Sequence, residues 1–301
     1  MVAALAVLAA VAGGRGLFPD TIDEEVVRLL SLVYGSILLL GLCANVVLIL
    51  RLMTLPQRWA ARQARVTRRL LPGATLMGFF VFLISCFVLG IVLQFVVAAV
   101  LSASRAADSD GLFLFVHSLL FHWAALVGLG WLLAGRRGGW RAVFGLDTRR
   151  VVPDLVLGAY GYVAMVPYVL FFAAIYLRAL DGLGYEMGLQ EVARMITGET
   201  SPVTRFYLYF MAIVLAPVVE EILFRGLAFP WLMKALGPAP AMLAVSLLFA
   251  AIHLHIPGFV PLFVVSVALC FAYVHTGSIL VPIVMHALFN AINLWALTMV
   301  G

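Results

Sequence analysis

The stretch that decides the fold is residues 206–233, which read FYLYFMAIVLAPVVEEILFRGLAFPWLM. Glu220, Glu221 and Arg225 are its only charged residues, and it is long enough to cross a hydrocarbon core of about 30 Å as one α-helix. An ionisable side chain is costly inside a bilayer, so such residues within a span mark a functional site. The stretch therefore predicts a transmembrane helix that carries reactive groups.

The composition extends this prediction to the whole chain of 301 residues. Hydrophobic residues make up 65% and charged residues 11%, with a mean hydropathy of +1.13. A soluble domain has roughly half apolar and a quarter charged residues, so a water-soluble or disordered protein is excluded. We expect no nucleic-acid partner although the isoelectric point is near 9.4, because the basic residues are placed where membrane topology requires them.

Charges, glycines and prolines divide the chain into about eight helices. Four uncharged runs are each long enough to span a bilayer: 29–50, 70–104, 111–135 and 155–177. A fifth helix begins after Arg205. The uncharged tail has breaks at 237–240, 255–258 and 275–278, which leave segments near 241–254, 259–274 and 279–299. We expect an all-α fold, a polytopic transmembrane helical bundle.

The arginines indicate how the helices cross the membrane. Residues 51–70 contain six Arg and no acidic residue, and residues 135–150 contain five Arg and one Asp. Loops rich in Arg remain in the cytoplasm, so the mixed or acidic loops near 105–110 and 178–205 lie outside. We expect an integral protein of a bacterial cytoplasmic (inner) membrane, with the lipid bilayer as its solvent. Residues 1–14 are apolar but too short to span, which leaves a signal segment, a ninth helix and an interfacial segment open.

Two carboxylates and one guanidinium form the first candidate cluster. Glu221 and Arg225 are four positions apart, so they share a helix face and can pair. Glu220 points about 100° away from that face and is not neutralised by the same arginine. The spacing therefore predicts one paired carboxylate and one that is available as a general base.

Two later helices add imidazoles and an amide. Phe249 and His253 are four residues apart, as are His286 and Asn290, so each pair lies on one face of its helix. Such faces turn inward in an apolar bundle. At a rise of about 1.5 Å per residue, Glu220, His253 and His286 all lie within the hydrocarbon slab, where they can converge.

The motifs Glu220-Glu221-x-x-x-Arg225, Phe249-x-x-x-His253 and His286-x-x-x-Asn290 resemble, in order and spacing, those of the CPBP intramembrane proteases. This family contains type II CAAX prenyl endopeptidases, bacteriocin-processing and immunity-associated members, and sorting proteases such as the myxosortases. The stretch AYVHTGSILVP, residues 272–282, also resembles the family's approach to its last motif. The resemblance covers about residues 150 to 300. We therefore divide the chain into a short apolar N-terminal segment (1–25), three transmembrane helices with Arg-rich cytoplasmic loops (26–150) and a CPBP-like catalytic core (151–301).

The resemblance implies a role for each motif residue. Glu220, helped by His253, would activate a water for attack on a peptide carbonyl, and His286 with Asn290 would stabilise the oxyanion. Glu221, Arg225 and Phe249 would support the site. An Asn side chain suits the oxyanion because it can donate a hydrogen bond without a charge to desolvate, and one such donor contributes roughly 3 to 4 kcal/mol.

The same atoms could instead form a metal site, because two His and one Glu with an open position are a catalytic zinc set. In that reading Glu220, His253 and His286 would be the ligands. We expect no cofactor, since the chain has no HExxH spacing and an Asn beside the second His suits an oxyanion hole better than a metal shell.

The sequence therefore predicts a CPBP-type intramembrane endopeptidase, with a glutamic mechanism favoured over a metalloprotease. Its partner would be a membrane-anchored or membrane-adjacent polypeptide, and its role could include C-terminal processing or sorting. The alternative is a non-proteolytic transporter, or an immunity or binding protein, in which the buried Glu and His relay protons or hold a ligand.

Overall fold

A computed structural model describes residues 23–54, 58–102, 109–134, 138–185, 196, 198 and 201–300. Throughout these residues the regular structure is helical, without a strand, which confirms the all-α class. The helices are α1 Glu24–Thr54, α2 Arg58–Thr67, α3 Gly73–Ser102, α4 Ser109–Ala134, α5 Gly139–Phe144, α6 Val151–Gly182, α7 Pro202–Leu236, α8 Pro238–Ile252, α9 Phe259–Thr276 and α10 Leu280–Val300. The predicted N-terminal segment 1–25 lies outside the described residues, apart from its last three.

Six of the described helices are long and apolar enough to cross a membrane: α1, α3, α6, α7, α9 and α10. Two shorter apolar helices, Leu120–Ala134 within α4 and Pro238–Ile252, bring the number of apolar helices among the described residues to the predicted eight. Large apolar side chains cover much of the outer surface, among them Phe95, which is 72% exposed, and Trp131, which is 82% exposed. Such a surface is stable in lipid and not in water, so the protein is an integral membrane protein.

The breaks predicted in the uncharged tail are all present. Gly237 separates α7 from α8 with a φ of 84°, and Gly277 ends α9 in the left-handed conformation with a φ of 69°, which a glycine adopts without strain. His255 caps the 3₁₀ turn Ile256–Gly258, since its Nδ1 accepts a hydrogen bond from the Gly258 N–H at 3.0 Å.

The contacts between residues divide the chain into two compact units. One contains residues 1–68 and 144–301 and the other residues 69–143. This grouping differs from the predicted division at residue 150, because α1 packs along α6. Gly41 makes that packing possible, since a Cβ there would lie 2.4 Å from the Val163 carbonyl oxygen. In the second unit, α3 packs on α4 through the rings of Phe87 and Phe121, whose centroids are 6.0 Å apart.

Two glycines on α6 set the position of α10. A Cβ on Gly158 would lie 2.5 Å from the Val284 Cβ, and one on Gly161 would lie 2.7 Å from the Met285 sulfur. Small residues let transmembrane helices approach closely, and the two glycines are one turn apart on the same face. The approach fixes the segment of α10 that immediately precedes His286.

The helix α2 was not expected, because the sequence was searched for uncharged spans and α2 is basic. One face of α2 is strongly polar, while Val66 on its apolar side is fully buried, so the helix packs that side on the protein. Arg62 contacts the Nδ1 of His275 at 2.7 Å, and the side chain of Arg65 lies against Gly277. The Arg-rich segment therefore packs on the end of α9.

Candidate active site

The helix α7, which carries the first motif, is interrupted by two π-helical segments, Met211–Leu215 and Ile222–Ala228. Each is followed within two residues by a proline, Pro217 or Pro230, which cannot donate a backbone hydrogen bond. Wide π turns recur at functional sites because they release backbone groups and redirect side chains. The two segments lie on either side of Glu220 and Glu221.

Glu221 and Arg225 form the predicted ion pair deep in the protein. The Arg225 Nη1 donates to the Glu221 Oε1 at 2.8 Å, and neither side chain is exposed. The Arg225 Nη2 donates to the Ser266 Oγ at 2.6 Å and to the Ser266 carbonyl at 3.2 Å. The guanidinium also lies 4.6 Å from the centroid of the Phe249 ring, a cation–π contact. The pair is therefore fixed to both α8 and α9.

Both glutamates of the motif lie beside His286. The ring Nδ1 of His286 is 2.9 Å from the Glu221 Oε1, and its Nε2 is 3.9 Å from the Glu220 Oε2. A carboxylate that is already paired with a guanidinium only accepts hydrogen bonds, so His286 Nδ1 is the donor and its Nε2 is directed to Glu220. Glu221 thus orients the imidazole as well as holding Arg225.

Glu220 differs from its neighbour in exposure and in bonding. Its side chain is 22% exposed, whereas that of Glu221 is not exposed at all. The Glu220 Oε2 is buried and has no hydrogen-bond partner among the described residues. A carboxylate oxygen without a partner beside a partly exposed face is where a bound water or substrate group can be held.

Phe249 lies at the centre of the remaining contacts. Its ring centroid is 4.8 Å from that of His253 and 5.7 Å from that of His286, so it contacts both imidazoles. The His253 Nδ1 lies 2.6 Å from the Phe249 carbonyl, which fixes the ring at the C-terminal end of α8. The Nε2 atom, on the other side of the ring, takes no part in this contact. Among the described residues no hydrogen bond joins His253 to Glu220.

Asn290 is held by a carbonyl that the first π segment releases. The N–H of Ala216 donates to the Met211 carbonyl, and the next residue, Pro217, has no N–H to offer to the carbonyl of Ala212. That carbonyl accepts a hydrogen bond from the Asn290 Nδ2 at 2.7 Å. An amide nitrogen has two hydrogens, so this bond positions the side chain and leaves the second N–H for a ligand.

Residues 202–292, which contain all three motifs, match the family model described as type II CAAX prenyl endopeptidase Rce1-like. This region is therefore similar to that family. The match confirms the resemblance to the CPBP family. Searches of curated proteins and of solved structures gave no significant match.

Residues 202–292 bring together side chains that are far apart in the sequence. Contacts link six of the seven predicted site residues directly: Glu220, Glu221, Arg225, Phe249, His253 and His286. Asn290, the seventh, lies one helical turn beyond His286 on the same face of α10. The residue that sequence reasoning missed is Ser266, because a single serine in an apolar span is a weak signal.

The arrangement of the imidazoles bears on the zinc alternative. Among the residues described, no group of three His, Cys, Asp or Glu side chains is placed to hold a metal ion. The His253 Nδ1 is engaged by a carbonyl of its own helix and the His286 Nδ1 by Glu221, so only the Nε2 atom of each ring is left for another ligand, as in zinc-bound histidines. A reaction without a metal therefore stays a prediction.

Proposed function

We propose that the protein is an intramembrane endopeptidase that hydrolyses a peptide bond of a membrane-anchored or membrane-adjacent protein. The observation that carries the proposal is the contrast between the two adjacent glutamates. Glu221 is paired with Arg225, while Glu220 presents a buried Oε2 without a partner among the described residues, 3.9 Å from the His286 Nε2. The match of residues 202–292 to the CAAX prenyl endopeptidase model supports protease chemistry at this site.

In the proposed mechanism Glu220 acts as the general base. Its carboxylate takes a proton from a water, and the water oxygen bonds to the carbonyl carbon of the scissile peptide. The carbonyl oxygen becomes an oxyanion, which accepts a hydrogen bond from the second N–H of Asn290 and, when both ring nitrogens carry protons, from His286 Nε2. The proton on Glu220 then passes to the departing amine as the carbon–nitrogen bond breaks.

The remaining residues position these groups. Glu221 binds the His286 Nδ1 and so sets which ring nitrogen faces the reaction, as a carboxylate does for the imidazole of a catalytic triad. Phe249 packs against both imidazoles, and His253 is placed by its bond to the Phe249 carbonyl to assist from the end of α8. We propose that the reaction needs no metal, since every proton transfer has a side chain to perform it.

The proposed location is a bacterial cytoplasmic membrane, with the Arg-rich segments in the cytoplasm. Residues 51–70 carry six Arg without an acidic residue, which is the asymmetry that keeps a segment inside. C-terminal processing or sorting of anchored proteins is the role that fits such a site. A cut next to a membrane anchor releases the rest of the substrate or transfers it to a new location.

The experiment compares the membrane proteomes of cells that produce the wild-type protein, Glu220→Gln or Glu24→Gln. The last is a matched control, because it makes the same chemical change at the exposed start of α1. We expect protein termini that appear with the wild type and the control and are absent with Glu220→Gln. Identical termini in all three samples would overturn the protease proposal and favour a transporter or binding role for the buried Glu and His.

A further inference from the structure

The basic helix α2 lies beside the ends of three membrane-crossing helices. α1 ends at Thr54, and α2 begins four positions later at Arg58. α2 also contacts the last segment of α7 and the end of α9, where its neighbours include His275 and Gly277. Helices that cross the hydrocarbon core end at the level of the lipid headgroups. The residues of α2 are therefore within reach of the headgroups of one leaflet.

The end of α7 that α2 contacts carries residues typical of this level. Trp231 is 43% exposed, Leu236 is 52% exposed, and Lys234 between them is exposed as well. Tryptophan is enriched at membrane–water interfaces, and a lysine near a helix end keeps its methylenes in the apolar layer while its ammonium reaches the headgroups. This pattern places the headgroups at the same end of the unit without reference to α2.

Two exposed arginines at the end of α2, Arg65 and Arg68, have the spacing of a phosphate site. The Arg68 N–H donates to the Ala64 carbonyl at 3.1 Å, so the helical repeat extends to Arg68 and the two side chains are surface neighbours. Among the residues that the structure describes, neither guanidinium forms an ion pair with a carboxylate, and residues 51–70 contain no acidic residue. Two like charges one turn apart repel each other, and an anion bound to both removes that repulsion.

Other exposed arginines of the same unit have an acidic residue one helical turn away. Arg28 follows Glu24 by four positions on the same face of α1. Arg150 donates to the Asp154 Oδ1 at 3.3 Å. The surface of α2 is therefore distinguished by positive charge that nearby acidic side chains do not balance.

The arginines of α2 are also tied to the turn before α10. Arg62 Nη1 donates to the His275 Nδ1 at 2.7 Å, since a guanidinium has only donors to offer. The aliphatic part of Arg65 lies against Gly277, where a Cβ would be 3.2 Å from the Arg65 Cδ. This turn leads into α10, which carries His286. A ligand that holds α2 in place therefore also holds the turn from which α10 starts.

We propose that Arg65 and Arg68 bind the phosphate of an anionic phospholipid, and that this lipid stabilises the packing of α2 on α7 and α9. Guanidinium groups match phosphate oxygens with paired, charge-assisted hydrogen bonds, and Lys234 adds a further cation on the neighbouring segment of α7. A lipid is favoured over free phosphate or an acidic polypeptide, because the arginines lie at the level where anionic headgroups are concentrated. The inference does not depend on the proposed proteolysis.

The test measures the thermal unfolding of the full chain in lipid nanodiscs of two compositions. One contains phosphatidylcholine alone, and the other an equal mixture of phosphatidylcholine and phosphatidylglycerol. The variants are the double change Arg65→Gln with Arg68→Gln and the matched control Arg28→Gln, which also removes an exposed arginine charge. We expect phosphatidylglycerol to raise the melting temperature of the wild type and of Arg28→Gln by at least about 2 °C, and the double variant to lose most of this rise.

A second variant is needed because Arg65 also packs against Gly277. Arg68→Gln alone removes an exposed charge and should lose about half of the rise. An equal rise in the wild type and the double variant would overturn the proposal, and so would a wild type whose melting temperature does not respond to phosphatidylglycerol.

Two further samples separate the lipid from other anions. Sodium phosphate or polyglutamate is added to the wild type in phosphatidylcholine nanodiscs, and we expect neither to raise the melting temperature as phosphatidylglycerol does. A rise of the same size with sodium phosphate would assign the arginines to free phosphate, and one with polyglutamate would assign them to an acidic polypeptide. Either result would contradict the lipid proposal.

Discussion

Two polar clusters lie within the apolar interior of this protein, and they are built differently. Asn45, where α1 meets α6, donates from its Nδ2 to the carbonyls of Gly41 and Ala164, each at 2.8 Å, and its Oδ1 accepts from the Tyr168 hydroxyl at 3.1 Å. The cluster around Glu220 has buried polar atoms without a partner among the described residues, namely Glu220 Oε2, Glu221 Oε2 and Arg225 Nε.

The difference indicates that the Asn45 cluster is a structural contact between two helices, whereas the Glu220 cluster has the properties of a ligand site. A buried amide with all its hydrogen bonds made stabilises the contact of two helices and has nothing left to offer a ligand. Buried groups with unused bonding capacity are costly, and a protein retains them where a substrate or water uses them. We therefore expect changes at Asn45 to affect stability and changes at Glu220 to affect turnover.

The largest expected effect is that of Glu220→Gln on turnover. The amide has the shape of the carboxylate but cannot take a proton from water, so the rate should fall by about 10² to 10⁴-fold. The measurement is the processed fraction of a substrate found in the proteome comparison, at equal amounts of folded enzyme. Glu24→Gln should process normally, and activity retained in Glu220→Gln would assign the base to another residue.

Arg225→Met should have the largest effect on stability. It leaves the Glu221 carboxylate buried without its guanidinium, and loss of one partner of a buried pair costs about 3 to 5 kcal/mol. Thermal unfolding of the detergent-solubilised protein would measure this. The double variant Glu221→Gln with Arg225→Met should recover part of the loss, because no buried charge remains unpaired. A double variant less stable than Arg225→Met would show that the pair is not the source of the effect.

Asn290→Ala should lower turnover by about 10² to 10³-fold, the usual effect of removing one oxyanion donor. The substitution also removes the bond to the Ala212 carbonyl, so a control for structural loss is needed. Asn293→Ala supplies it, because Asn293 lies on the same helix and donates only locally, to the Phe289 carbonyl at 2.6 Å. Equal losses of turnover in the two variants would contradict the oxyanion role.

Asn45→Ala should lower the stability of the protein and leave its turnover unchanged. Hydrogen bonds between transmembrane helices contribute about 1 kcal/mol each at most sites, so the melting temperature should fall while turnover per folded molecule stays the same. Thermal unfolding and the processing assay on one preparation would separate the two. A turnover defect in folded Asn45→Ala would show that the contact between α1 and α6 also affects the active site.

How far the sequence predicted these clusters depends on the distance between their members along the chain. The pairing of Glu221 with Arg225 and the faces of α8 and α10 follow from a spacing of four within one helix, which the helical repeat fixes. The bond between Glu221 and His286 joins residues 65 apart, and that between Arg225 and Ser266 joins residues 41 apart. Such contacts depend on how close α7, α9 and α10 pack, which spacing within one helix does not define.

The π-helical backbone of α7 could not be predicted from the sequence either. Pro217 is visible in the sequence as a helix irregularity, but the π segment before it and the release of the Ala212 carbonyl to Asn290 appear only in the structure. The basic helix α2 was missed for another reason, since transmembrane spans are recognised by the absence of charge and α2 is short and rich in arginine. Prediction therefore succeeded for local periodicity and failed where packing decides.

The smallest expected effect is that of a change at Ser266. This residue links α9 to α7, as Asn45 links α1 to α6, and its partner Arg225 belongs to the cluster around Glu220. Ser266→Ala removes the 2.6 Å bond from the Arg225 Nη2 but keeps the bond to the Ser266 carbonyl, so the stability should fall by less than about 1 kcal/mol. Arg225 positions Glu221, and Glu221 orients His286, so a looser guanidinium should lower kcat by about 3- to 10-fold while KM changes little, since KM reports substrate contacts that Ser266 does not make. Ser266→Thr retains the hydroxyl and should restore kcat. Ser85→Ala, which removes a hydroxyl bonded only to the Val81 carbonyl of its own helix, should leave kcat unchanged, and an equal fall in both alanine variants would mean that Ser266 is a structural residue without a positioning role.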